Sequence, residues 1–421
     1  MKTFLRRIIE RPVPGVSAVF TIVYCSAVIF MLTVLKTNDA FFLHDDGYYV
    51  IGNNYFKGIS GLSHQYLMPL FPFILSLLGF FPENLHPALR ILLTLALTYG
   101  NIYVANRIFS SFLSPKQIFT GLMIFVLTPL YLHWSIKLTS EVILTLFLGL
   151  IILSFQKFYI TKKPAYLVML FISILLAGLV KPVFFFVPVF FLLFALYRKN
   201  IKLSVVMLIV VLYSLAVQLS VMEFARPLTP GSRSYGTADL LAGSYYLKAV
   251  SMTGQLNTNS HISYTKENAD RSNLLLANKM LSEWLDDFNK EHPDASLQRI
   301  VAASFLDSPV LFVLSKIISP LFFICLASGF TEMLLNFIIN ILLIFFAVWS
   351  MRKYLKGKMD MVLPVIYGLL GFFATYFFTF CIARYSVPFM FYLSVFAGPS
   401  LLGLFDRSKK PQTGISQKKI N

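Results

Sequence analysis

Apolar runs of spanning length, separated by short charged links, recur along this chain from end to end. A helix needs about 20 apolar residues to cross the roughly 30 Å hydrocarbon core of a bilayer. Runs of that kind occupy 16–36, 87–106, 117–134, 140–157, 166–181, 183–197, 203–222, 331–351, 360–381 and 386–404. The fifth and sixth are short, with Pro182 and Pro188 near them. Hydrophobic residues make up 57% of the chain and charged residues 13%, about half the charge usual in a soluble domain. A soluble fold of this length has no interior for so much apolar surface. The expectation is an all-α polytopic membrane protein.

The formal net charge is +17. The charges do not line one soluble face, as nucleic-acid binding requires, but sit in clusters between the apolar runs. With the N-terminus in the cytoplasm, the cytoplasmic links hold Arg107 and Lys116, Lys157, Lys162 and Lys163, Arg198, Lys199 and Lys202, then Arg352, Lys353, Lys356 and Lys358. The tail adds Arg407, Lys409, Lys410, Lys418 and Lys419. This bias is the positive-inside pattern. Two further apolar stretches, 66–81 and 309–328, would move these clusters across the membrane if either spanned alone. Both are therefore read as interfacial or re-entrant helices on the outer side, which is allowed where protein covers the backbone.

Residues 1–222 then form an N-terminal transmembrane module that includes a first outer loop, 37–87. Residues 223–309 form an extracytoplasmic region with candidate helices at 238–250 and 272–290. Residues 310–421 carry the C-terminal spans and a basic cytoplasmic tail. Lys2, Arg6, Arg7 and Arg11 precede the first run, which is too long for a signal-peptide core and lacks a clear cleavage site. Cys25, Cys325 and Cys381 all lie in apolar runs and suggest neither a disulfide framework nor a zinc motif. Neither outer segment holds a glycosylation sequon, which leans towards a bacterial source.

The residues that point to chemistry cluster on the outer side. His44-Asp45-Asp46-Gly47-Tyr48-Tyr49 directly follows the first run. Adjacent carboxylates at a membrane boundary repel each other, and one of such a pair can act as a general base. The plainer reading is an acidic turn capping a helix at 48–56. Gln65-Tyr66-Leu67-Met68-Pro69-Leu70-Phe71-Pro72 suggests the start of an interfacial helix. Lys137 and Glu141, with His133 and Trp134 before them, share a helical face at the outer end of the fourth run. A simple interfacial ion pair is the alternative there. Lys181-Pro182 and Arg384-Tyr385 place cations on the outer face, where an anionic ligand such as a lipid phosphate, or snorkelling to headgroups, accounts for them. No P-loop, dinucleotide-binding turn or zinc-protease motif is present, which argues against a soluble nucleotide substrate.

These motifs resemble those of the GT-C glycosyltransferases, specifically the family 39-like group that includes protein O-mannosyltransferases and the aminoarabinose transferases of lipid A. Asp45-Asp46 with Tyr48, Tyr49, Asn54, Tyr55, Phe56 and Gly58 resembles the family's acidic pair after its first helix. Pro69-Leu70-Phe71-Pro72, Glu141 with Lys137, Lys181-Pro182, and Arg384-Tyr385 with Pro388 resemble later motifs. The chain departs from the family in its Asp-Asp pair, in Tyr48 where aminoarabinose transferases carry Arg, and in having no Lys or His inside the Pro-Leu-Phe-Pro stretch, His64 lying just upstream.

The resemblance implies a GT-C-type fold with about ten transmembrane helices, interfacial helices in the first outer loop, and a polyprenyl-phosphate-linked sugar donor used on the outer face. It implies Asp45 as base on an acceptor hydroxyl, with inversion. Asp46 and Glu141 would orient the acceptor or supporting cations, and Lys181 and Arg384 would hold the phosphate, with Lys137, Tyr385, His64 and Tyr48 as further substrate-binding candidates. No cofactor is named, and a divalent cation is left open. The acceptor, an envelope glycan, lipid or protein, also stays open. The expected location is the bacterial cytoplasmic membrane, both termini inside. A transporter or flippase of lipid-linked glycans, with charges buried mid-membrane, and an envelope polymerase or ligase are the rival readings.

Overall fold

The computed structural model describes residues 10–33, 70–136, 138–181, 184–225, 330–378 and 386–406, with scattered positions between 287 and 310. Within these residues the chain is almost wholly helical and has no strand. The helices are α1 (Pro12–Thr33), α2 (Leu70–Ser76), α3 (His86–Phe109), α4 (Pro115–Val126), α5 (Pro129–Ile136) and α6 (Ser140–Thr161). There follow α7 (Pro164–Val180), α8 (Phe186–Tyr197), α9 (Ile201–Ala225), α10 (Phe330–Tyr354), α11 (Met359–Phe378) and α12 (Val387–Asp406). Among the described residues seven helices are long and apolar enough to cross a bilayer, namely α1, α3, α6, α9, α10, α11 and α12. The chain is an all-α, multi-pass integral membrane protein.

Polar contacts define one end of the bundle. Lys358 Nζ donates to the Phe112 carbonyl at 2.7 Å. Gln156 Nε2, near the end of α6, donates to Ser111 Oγ at 3.3 Å and to the Met361 carbonyl at 3.1 Å. Arg198 pairs with Asp360 at 2.9 Å, and Ser350 donates to Ser400 at 2.7 Å. The α3–α4 link, the C-terminal ends of α6, α8, α10 and α12, and the start of α11 thus lie together. The basic links read from the sequence, from Arg107 and Lys116 to Lys356 and Lys358, fall at this basic end. Helix α1 runs antiparallel to α3, because Thr21 hydrogen-bonds Tyr99 while Tyr24, further on, faces Thr94 and Arg90. It therefore starts at the basic end.

Helices α6 and α12 form the centre, with 67% and 72% of their spanning windows buried against 28–39% for the others. Helix α6 packs on α3, α7, α11 and α12, and α12 packs on α4 and α10. Glycine makes the α4–α12 contact close: a Cβ at Gly121 would stand 2.6 Å from the Ser394 carbonyl oxygen, and one at Gly398 would run into the Gln117 carbonyl. Small residues let membrane helices approach in this way.

Local sequence explains the tight links. Ser114-Pro115-Lys116-Gln117 forms a capping box, with the Ser114 amide bonded to Gln117 Oε1 at 2.9 Å and Pro115 in the first turn. Helix α8 ends with Lys199 in the left-handed region (φ 51°). The Lys199 amide bonds Leu196 O and the Asn200 amide bonds Ala195 O, which is a Schellman cap. Asn200 then caps α9 through Oδ1 to the Leu203 amide at 3.0 Å.

Three of the runs read as spans differ in form. The run 117–134 is two helices, since α4 stops at Val126 and the chain turns before Pro129. Helices α7 and α8 have 17 and 12 residues, so at 1.5 Å per residue α8 covers only about 18 Å. The stretch 66–81 is described from Leu70, where α2 continues as a 3-10 turn to Phe80 and packs on α7 without the length of a span. Its Phe73, Phe80 and Phe81 are exposed, as suits a helix at a membrane interface. Residues 311–328, the helix at 238–250 and nearly all of 272–290 lie outside the described residues.

Candidate functional site

The polar interior is built on the start of α6. Helix α5 ends with the Leu138 amide on Ser135 O and the Thr139 amide on Trp134 O, with Leu138 left-handed at φ 46°. A left-handed leucine costs roughly 1–2 kcal/mol, and its buried side chain holds it in place. The turn is so short that α6 begins at once. Glu141 therefore falls in the first turn of α6, where the helix dipole favours an anion. Lys181 caps the C-terminus of α7 in an extended conformation, where the dipole favours a cation. Because α6 and α7 run in opposite directions, these two favourable poles lie at the same end.

There Lys181 Nζ donates to Glu141 Oε1 at 3.2 Å. Glu141 is 1% exposed and Lys181 15%. Ser140 Oγ lies 3.5 Å from Glu141 Oε2, at the outer limit of a hydrogen bond. Two of the residues singled out in the sequence are thus brought into contact across 40 positions of chain. Asp45, Asp46, Tyr48, His64, Lys137, Arg384 and Tyr385 lie outside the described residues, as does the side chain of His133.

The depth of the pair follows from α3. Asn101 Nδ2 donates to the Val142 carbonyl at 3.0 Å. Asn101 stands about 22 Å from the first residue of α3 and about 12 Å from its last, at 1.5 Å per residue. The ion pair, next to Val142, is therefore recessed roughly four helical turns below the far end of α3. It sits inside the bundle, about 22 Å along α6 from Gln156 at the basic end.

Above it, α3 presents a polar stripe towards α1 and α5. Arg90, Thr94 and Thr98 follow at four-residue spacing and all are buried. Thr94 Oγ1 donates to Arg90 O at 3.0 Å. Tyr131 OH donates to Thr98 Oγ1 at 3.1 Å. Arg90, only 4% exposed, is the residue that hydropathy hides: one charge hardly changes the mean of a run at 87–106. The rule that an ionisable residue within a span is a functional candidate identifies it directly. Among the described residues no group of three or more His, Cys, Asp or Glu is placed to hold a metal ion.

Comparison with family models, with curated proteins and with solved structures finds no match in any of the three.

Proposed function

We propose that this chain is a membrane glycosyltransferase of GT-C type that uses a polyprenyl-phosphate-linked sugar. The observation that carries the reading is the buried Glu141–Lys181 pair, recessed at the end of the bundle away from the basic links. Ionisable groups inside a membrane bundle are costly and mark substrate sites by default. The motif resemblance supports the rest. The seven long helices support a multi-pass bundle, and the reading counts the α4–α5 pair, α7 and α8 as three further passes.

In this reading the basic end is cytoplasmic and the pair faces the outer side of a bacterial cytoplasmic membrane. Asp45 accepts the proton of an acceptor hydroxyl. The hydroxyl oxygen bonds to the anomeric carbon from the face opposite the phosphate. The bond from that carbon to the phosphate oxygen breaks, and its electron pair leaves with the lipid phosphate. Lys181 and Arg384 stabilise the growing negative charge on the phosphate. Glu141 balances Lys181 before the donor binds, and with Asp46 it orients the acceptor.

The same buried charges favour a second reading, a transporter or flippase of lipid-linked glycans. A purified-protein assay with labelled polyprenyl-phosphate sugar and envelope extract as acceptor separates the two. The first reading expects lipid phosphate to be released, and Asp45→Asn to slow release about a hundredfold or more. Full activity in Asp45→Asn removes Asp45 as base. Donor that crosses proteoliposome membranes unchanged, with no release, favours the transporter.

A further inference from the structure

We propose that Gln218 is a substrate-contacting residue of this site, its side-chain amide donating to the phosphate of a polyprenyl phosphate beside Lys181. The inference rests on the glycosyltransferase reading and adds a residue that neither the apolar pattern nor the motifs single out. Helix α9 buries one stripe against α7 and α8, made of Leu203, Met207, Val210, Ser214, Val217 and Gln218. Within it the Gln218 amide nitrogen is buried and has no acceptor among the described residues, and neither has the Ser214 hydroxyl one turn deeper. Thr145, Ser154 and Ser173 each bond the carbonyl four residues back, whereas Ser214 and Gln218, like the Ser17 and Ser135 hydroxyls and the Asn336 amide nitrogen, do not find a partner among the described residues. A buried amide donor left unmatched in an apolar surround opposes folding, and such groups in native proteins call for an explanation.

The place of Gln218 supplies one. Helices α7 and α9 both run away from the basic end. A Cβ on Gly178 would lie 3.0 Å from Val217 Cγ1, which fixes their register. Lys181 lies three residues beyond Gly178 and Gln218 one beyond Val217. The two backbone positions therefore differ in height by only about 3 Å on neighbouring helices. Packed helix axes lie about 8–10 Å apart, a gap that an anionic headgroup contacted by a lysine and a glutamine can bridge. An ammonium and an amide N–H together suit a phosphate oxygen, and the exposed apolar faces of α9 leave room for a lipid tail alongside.

The test uses the full chain purified in detergent and the near-isosteric Gln218→Met, with Gln218→Leu as the second variant. Thermal melting and titration are run with a polyprenyl monophosphate, with the uncharged polyprenol and with inorganic phosphate. Hydrogen bonds to charged groups set the expected weakening of polyprenyl monophosphate binding at about tenfold or more. The ligand-free variant is expected to melt at the wild-type temperature or above, because an unmatched buried donor has been removed. Polyprenyl monophosphate is expected to outbind both controls. Equal lipid-phosphate affinity in wild type and both variants overturns the proposal while leaving the glycosyltransferase reading intact, as does a lowered melting point with unchanged affinity. Inorganic phosphate binding as tightly as the lipid overturns the lipid assignment. A wild type that binds no polyprenyl monophosphate overturns both readings together.

Discussion

At the scale of single residues, the Glu141–Lys181 contact combines a cost with two local compensations. Each ion sits at the helix pole that favours its sign, and each neutralises the other. Removing one partner strands the other in the bundle, a change that typically costs about 3–5 kcal/mol when the survivor is buried. Lys181 retains some solvent contact, so the lower figure is the appropriate one. Glu141→Gln is therefore expected to lower stability by about 3 kcal/mol in thermal or denaturant unfolding in detergent. The double variant Glu141→Gln with Lys181→Met is expected to recover more than half of that loss. Equal losses in the single and double variants would mean that the pair is not what holds the two helices.

Among the elements, the caps and close approaches carry the specificity of packing. Lys199 occupies the left-handed position of a Schellman cap where glycine is at ease, so Lys199→Gly is expected to raise stability by about 1 kcal/mol. The opposite sign is expected at Gly121, whose added Cβ meets the backbone of α12 rather than a movable side chain. Gly121→Ala is expected to lower stability by about 1–3 kcal/mol through overpacking, read as a drop in melting temperature. Helix positions were largely legible from apolar run length, as the match of 140–157 to Ser140–Thr161 and of 203–222 to Ile201–Ala225 illustrates. Where a run breaks, hydropathy is blind. The residues around Leu127 stay apolar across the turn, so hydropathy does not separate α4 from α5, and Thr128-Pro129 is the sequence mark of the break. Glu141 and Lys181 were legible as charges near helix ends, but their contact depends on the opposed directions of α6 and α7. Arg90 and Gln218 are not legible in the apolar pattern because one polar residue barely alters a spanning window, although inside a bundle it weighs heavily on the energetics.

For the whole molecule, the basic links gather at one end while a charged pair lies recessed below the other. The asymmetry gives the bundle a direction, and the central position of α6 places Glu141 among the helices that pack around it. In the proposed enzyme that recess receives the donor phosphate, and Asp45 meets the acceptor above it. The most direct test compares release of lipid phosphate from a polyprenyl-phosphate sugar by the wild type and by the Glu141→Gln, Lys181→Met double variant, with folding checked by thermal melting. The account predicts a double variant that melts cooperatively and releases lipid phosphate about a hundredfold more slowly or worse, since the phosphate has lost its cation. A folded double variant that releases lipid phosphate at the wild-type rate contradicts it.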